Sequence, residues 1–127
     1  MTISASLTPT NRRIVWGVRA LLALAFAAAG IAKMAGVAQM VQVFDAIGIG
    51  QWFRFMTGTI EITGAVLVLL PATVFFGALL LAVTMICGVA THLFVIGGNP
   101  APALMLALMS AFVAWRLRPV FQLLALR

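Results

Sequence analysis

The sequence predicts an all-α integral membrane protein, a bundle of four transmembrane helices that forms a single domain over residues 1–127. Apolar residues make up 65% of the chain and charged residues only 8%, whereas soluble domains are about half apolar and a quarter charged. The apolar residues fall into long runs, and a bilayer requires about 20 residues per span. Breaks that contain Gly or Pro separate these runs, so the chain can reverse direction between them.

The first predicted span covers residues 14–35 and follows Arg12 and Arg13. Arg19 interrupts its beginning, and from there its long side chain can reach the nearby headgroups. The uncharged stretch 20–32 also fits the apolar segment of a secretory signal peptide. A retained helix is favoured because four spans place both basic clusters on one side of the membrane, whereas three would separate them.

A short amphipathic helix is predicted between the first and second spans, within residues 36–51. Its apolar residues recur at steps of three and four, which is typical of a helix that lies at the membrane surface. Asp45 is expected on its solvated face, and Gly48 and Gly50 are expected to end it.

The three remaining spans are predicted at residues 53–70, 72–96 and 101–117. Pro71 ends the second span because its ring cannot continue the preceding helix. The third span closes at a Gly-Gly-Asn-Pro turn, and a proline in the first turn of the fourth span is well tolerated. Cys87 lies within the third span, where a buried structural thiol is expected.

The distribution of basic residues predicts the orientation. Positive charge is concentrated before the first span and after the last one, while Lys33, Arg54 and Asp45 lie on the opposite side. The residues assigned to topology and headgroup contact are Arg12, Arg13, Arg19, Arg116 and Arg118, with Arg127 beyond them. Both termini should face the cytoplasm of a multi-pass protein in a bacterial-type inner (plasma) membrane. The net charge of +6 therefore reflects contact with the lipid bilayer, and no nucleic-acid partner is expected.

This topology brings four polar residues to the outer half of the membrane and predicts a cavity there. Lys33 and Arg54 lie near span ends, Glu61 lies roughly 10 Å deeper than Arg54, and His92 lies about one turn from the end of the third span. Ionisable groups within a span face the bundle interior. Lys33 and Arg54 are candidate ligand-binding residues, and Glu61 and His92 are candidates for proton exchange. Small residues surround Glu61 on its helical face, namely Thr57, Gly58, Gly64 and Ala65.

A structural interpretation of the same residues stays open. Glu61 can form an ion pair with Lys33 or Arg54 that fixes helix register, and His92 can hydrogen-bond a carbonyl group. Lys33 and Arg54 can also extend to the headgroups. No metal site is predicted, because the chain has one His and one Cys and lacks a motif that would supply further ligands.

The order of these features resembles the DoxX-like family of small four-helix membrane proteins. The resemblance is carried by Arg19 to Phe26 leading to Gly30-Ile-Ala-Lys33, by Gly58-Thr-Ile-Glu61-Ile-Thr-Gly64-Ala65, and by His92 before a Gly/Pro turn. It covers residues 13–115 and implies functional roles for Arg19, Lys33, Glu61 and His92. It also implies a membrane subunit that binds a quinone or another lipophile, or that anchors a partner, since the family takes its name from a subunit of a thiosulfate:quinone oxidoreductase.

Two hypotheses follow for the function. In the first, the protein is a membrane subunit of a quinone-linked or other redox complex and binds a quinone-like molecule in the polar cavity, with electrons supplied by a partner. In the second, it is a non-catalytic assembly subunit or membrane anchor of a larger complex, or a homo-oligomer. The chain carries no recognisable electron-transfer cofactor motif, so whether it is itself an enzyme stays open.

Overall fold

The structure, a computed structural model, describes residues 9–119. Within that range the chain is all-helical, as predicted. Its five α-helices are α1 (Pro9–Ala35), α2 (Ala38–Ile47), α3 (Gln51–Leu67), α4 (Val74–Thr91) and α5 (Ala101–Arg116). A π-helical turn (His92–Ile96) extends α4. The predicted amphipathic connector is confirmed as a helix in α2, and Arg127 lies outside the described residues.

One apolar core joins the four long helices α1, α3, α4 and α5. Its completely buried side chains include Leu22 from α1, Leu81 from α4 and Val113 from α5, together with Val68 at the end of α3. The core lies toward the end of the molecule where α3 turns into α4, which we call the turn end. The opposite end, where α2 packs against α3 and the π-helical turn, is called the connector end.

Large apolar side chains cover the outward faces of these helices. Leu24, Phe76, Ile86 and Phe94 are all more than half exposed. Soluble monomers rarely expose so much contiguous apolar surface. By length and composition, the two helical segments Pro9–Ala35 and Val74–Ile96 can cross a membrane, while α5 is apolar but shorter.

Helix ends differ from the predicted spans by a few residues. α1 already includes Pro9, ahead of the predicted start at residue 14. α3 ends at Leu67, because Pro71 four residues later has no N–H to donate to the Leu67 carbonyl and its ring clashes with that group. The chain then turns through Leu69 and Leu70, whose N–H groups donate to carbonyls three residues back.

Cys87 is exposed on α4, so the prediction of a buried thiol is wrong. α4 is apolar around its whole circumference, and its sequence therefore does not show which face meets the core. In a bilayer this thiol would contact lipid chains.

Glycines set the closest helix contacts. A Cβ atom at Gly30 would lie 2.8 Å from the Gly58 carbonyl oxygen, and one at Gly58 would lie 3.0 Å from the Gly30 oxygen. The backbones of α1 and α3 therefore touch at this point. Gly64 likewise makes room for Leu81 of α4, since a Cβ there would lie 2.4 Å from the leucine side chain. Small residues that let helix backbones approach are typical of packing within membranes.

Candidate functional site

A buried ion pair joins α1 and α3 toward the connector end. The Lys33 ammonium lies 3.0 Å from Glu61 Oε1 and donates a hydrogen bond of 3.2 Å to Glu61 Oε2. The side chain of Glu61 is only 2% exposed, whereas that of Lys33 is 13% exposed. The carboxylate is therefore enclosed by protein, and the ammonium is the part of the pair nearer to the surroundings.

The contact between Gly30 and Gly58 determines where the Lys33–Glu61 ion pair forms. Lys33 lies three residues after Gly30 on α1, and Glu61 lies three residues after Gly58 on α3. Residues three apart share a helical face, so the two side chains project from the same crossing point. A Cβ at Gly58 would lie 3.1 Å from Lys33 Cβ, which shows how closely the lysine stem packs against α3.

Arg54 pairs with groups other than Glu61. It is buried, and its guanidinium donates from Nη1 to the backbone carbonyl of Lys33 and from Nε to Gln51 Oε1 at 2.7 Å. It also stacks on Phe55, with Cζ 4.2 Å from the ring centre. Arg54 thus binds the C-terminal end of α1, where helix carbonyls lack partners within the helix.

Gln51 is a member of this network that the sequence analysis missed. Its side-chain amide accepts from Arg54 and donates to Asp45 Oδ1 at 2.7 Å and to the Val41 carbonyl at 3.1 Å. It therefore ties α2 to α3. The three-residue spacing of Gln51 and Arg54 is the one signal that could have indicated it. We call Lys33, Gln51, Arg54 and Glu61 the polar cluster.

Gly36 allows the chain between α1 and α2 to pack against Arg54 of the polar cluster. Its φ angle is +71°, a conformation that residues with a side chain rarely adopt. A Cβ at this position would lie 3.4 Å from Arg54 Nη1. The glycine therefore lets the chain turn from α1 into α2 directly over the guanidinium.

His92 lies at the same end but outside the polar cluster. Its Nδ1 lies 2.8 Å from the Gly97 carbonyl oxygen, within hydrogen-bond distance, and the ring is partly exposed. Among residues 9–119, no hydrogen bond or ion pair joins His92 to Glu61 or Lys33. The structure thus brings together three of the four predicted site residues and leaves the histidine with a backbone partner in the turn after α4.

Arg19 is held by contacts within the protein. It is buried at the turn end, where Nε donates to the Val68 carbonyl at 2.7 Å and Cζ lies 3.7 Å from the centre of the Trp16 ring. α1 is helical from Pro9 onward, so Arg19 lies well inside the helix. It also lies on the face of α1 that meets the core. Arg12 and Arg13 are exposed, and Arg116 and Arg118 are partly exposed.

Two other features of the molecule bear on ligand binding. Within the described part of the chain, no group of three or more His, Cys, Asp or Glu residues is arranged to hold a metal ion. A groove of about 300 Å³ lies between α4 with its π-helical turn and α5, and its lining, which includes Ile86, Phe94 and Leu104, is entirely apolar.

The chain matches the model of a known protein family. The model of the DoxX-like family matches residues 17–115, a range that contains Arg19, the polar cluster and His92. This confirms the resemblance noted from the sequence. Comparison with curated proteins and with solved structures gives no significant match.

Proposed function

The chain belongs to the DoxX-like family, and from this we propose that it is a multi-pass subunit of a redox membrane complex that binds a quinone-like lipophile at the polar cluster. Its four long helices would span the bacterial inner membrane as one domain, with both termini in the cytoplasm. The connector end would face the opposite side. Lys33 and Arg54 would bind the ligand, and Glu61 would exchange protons with it.

The main observation behind this proposal is the number of hydrogen bonds that the Lys33 ammonium makes. An ammonium has three N–H donors, and the two contacts of Lys33 Nζ within the described part of the chain both go to Glu61. A donor thus remains for a ligand oxygen, at the one partly exposed group of the ion pair. The polar cluster also holds two cations against one carboxylate, which favours electron-rich oxygens such as those of a reduced quinone.

Proton exchange fits the same geometry. Reduction of a quinone to a quinol consumes two electrons and two protons. In this proposal the electrons come from a partner subunit, and Glu61 delivers protons while Lys33 holds the ligand oxygen. Ionisable residues inside a membrane protein commonly mark such proton pathways. His92 would relay protons between Glu61 and the outside, and this step requires the turn after α4 to move.

A second candidate function is favoured by a different observation. Both oxygens of Glu61 are occupied by Lys33, and Arg54 is bound by the Lys33 carbonyl and Gln51. A network satisfied within the protein suits a purely structural role, in which it fixes the α1–α3 crossing of an assembly subunit or membrane anchor.

Native mass spectrometry of the protein, extracted in a mild detergent from its own membrane, separates these functions. Wild type is compared with Glu61→Gln and with Asp45→Asn, which removes the other, exposed carboxylate as a matched control. The redox proposal expects a bound quinone that is lost in Glu61→Gln and retained in Asp45→Asn. A stable partner chain without any specific small molecule in all three samples would instead support the assembly subunit.

The proposed placement across the membrane has support of its own, and its orientation can be tested. The three tryptophans are at least 43% exposed, with Trp16 and Trp115 at the turn end and Trp52 at the connector end. Tryptophans concentrate at the two membrane interfaces. In a Cys87→Ala background, Asn99→Cys should react with a charged maleimide added outside spheroplasts. Protection of this residue until the membrane is opened would reverse the orientation.

A further inference from the structure

We propose that the turn end holds a binding site for the phosphate of an anionic phospholipid, formed by Arg19 and Arg116. This site lies at the opposite end of the molecule from the polar cluster, so it does not depend on the function proposed there. The first observation is a pair of buried polar atoms, Arg19 Nη2 and Arg116 Nε, neither of which has a hydrogen-bond partner among residues 9–119. Buried charged groups are normally paired, so each unpaired one requires an explanation.

The two arginines lie at the same end of the core. Leu22 and Val113 both belong to the core, Arg19 lies one turn before Leu22 on α1, and Arg116 lies one turn after Val113 on α5. The two helices pack against each other and run in opposite directions, so both arginines extend toward the turn end. Residues three apart share a helical face, and Arg116 is therefore directed inward, like Val113.

The rest of the Arg19 side chain is already held in place. Its Nε donates to the Val68 carbonyl, and its guanidinium stacks on Trp16. Only 5% of the residue is exposed. A guanidinium that is fixed in this way can present its remaining N–H groups to an anion with little further loss of freedom, which suits the fork geometry of phosphate recognition.

No side-chain carboxylate of this chain is placed to serve as the counter-ion. The sequence contains two acidic residues, Asp45 and Glu61. Glu61 is paired with Lys33, and Asp45 accepts from Gln51, both toward the connector end. Within residues 9–119 no carboxylate is left to pair with Arg19 and Arg116, so an anion from the surroundings can take that place.

The depth of the site relative to the membrane favours a lipid as the source of the anion. Trp16 and Trp115 are exposed beside it, and exposed tryptophans at a membrane protein surface lie at the depth of the headgroups. In the predicted orientation this is the cytoplasmic leaflet, where arginines attract anionic headgroups. The phosphate diester of such a lipid supplies the oxygens that the two side chains lack.

The test measures lipid binding to the purified full chain in detergent by native mass spectrometry. Phosphatidylglycerol and phosphatidylcholine with identical acyl chains are titrated into wild type, Arg19→Gln, Arg116→Gln and Arg13→Gln. Arg13 is exposed on the same helix as Arg19, so its variant controls for the loss of one charge. Arg19→Lys keeps the charge but removes the fork, and Arg116→Gln decides the outcome if Arg19→Gln does not fold.

Phosphatidylglycerol should bind wild type about tenfold more tightly than phosphatidylcholine. Both lipids carry the phosphate diester, but the choline cation of phosphatidylcholine is repelled by the two guanidinium groups, whereas the glycerol headgroup is neutral. Arg19→Gln and Arg116→Gln should each lose most of this preference, Arg19→Lys should lose part of it, and Arg13→Gln should keep it. Equal affinity for the two lipids, or equal binding by all variants, would overturn the proposal. Displacement of the lipid by inorganic phosphate, or an acidic protein retained in its place, would overturn the assignment to a lipid.

Discussion

Removal of one partner from the Lys33–Glu61 ion pair should destabilise the protein far more than removal of both. Glu61 is 2% exposed, so Lys33→Met leaves a carboxylate inside the protein without its cation. Breaking a buried ion pair in this way costs about 3–5 kcal/mol. Glu61→Gln should cost less, about 2 kcal/mol, because the remaining ammonium is 13% exposed and can turn outward. The double variant carries neither charge and should lie within about 1 kcal/mol of wild type.

The assay is reversible unfolding by sodium dodecyl sulfate in mixed micelles, followed by circular dichroism for wild type, both single variants and the double variant. The double-mutant cycle isolates the interaction between the two side chains. We expect this coupling energy to be at least about 4 kcal/mol, since the single variants together should lose far more stability than the double variant. Asp45→Asn serves as the reference for an exposed carboxylate and should change stability by less than about 0.5 kcal/mol. A coupling energy below about 0.5 kcal/mol would refute the reasoning, because additive effects mean that the ion pair does not hold α1 to α3.

Three further predictions concern packing and placement. Gly58→Ala should cost about 1–3 kcal/mol in the same unfolding assay, because its Cβ would lie 3.0 Å from the backbone oxygen of α1. Gly17→Ala, which has no atom within 4 Å of the added Cβ, is the matched control and should leave stability unchanged or higher. Thr73→Val removes the 2.9 Å hydrogen bond to the Leu67 carbonyl and should cost about 1 kcal/mol, and no loss would show that the bond is dispensable. Cys87 is exposed on α4 and should react with a lipid-soluble maleimide at least about tenfold faster than with a charged one in intact membranes, whereas similar rates would place it in water.

The sequence predicted the depth of the polar residues in the molecule but not their hydrogen-bond partners, for physical reasons. Sequence position alone places Lys33, Arg54, Glu61 and His92 toward one end of the molecule, because helix length and reversal points determine depth. It does not determine partners. Arg54 binds a carbonyl group rather than Glu61, and His92 binds the Gly97 carbonyl, because each side chain pairs with whichever polar group the helix crossing brings within reach.

The interior position of Arg19 shows the same limit. An arginine near the start of an apolar run can extend to the headgroups or turn inward, and its own helix permits both. The choice depends on Val68, which belongs to another helix and presents its carbonyl oxygen 2.7 Å from Arg19 Nε. No local pattern around residue 19 encodes that distance.

The sequence by itself determined the class of the protein, its helices and its reversal points. These follow from composition, from periodicity and from Pro71 and the glycine turns. Apolar composition favours transfer of the chain out of water, and proline and glycine determine the local backbone conformation, so neither effect requires a contact with another helix. Only the tertiary structure decided which polar groups pair and which face of α4 is buried. Partners come from different helices, and the approach of those helices depends on a few close contacts such as that of Gly30 with Gly58. The outward face of a helix in a membrane contacts lipid chains and is as apolar as the buried face, so the sequence does not distinguish the two.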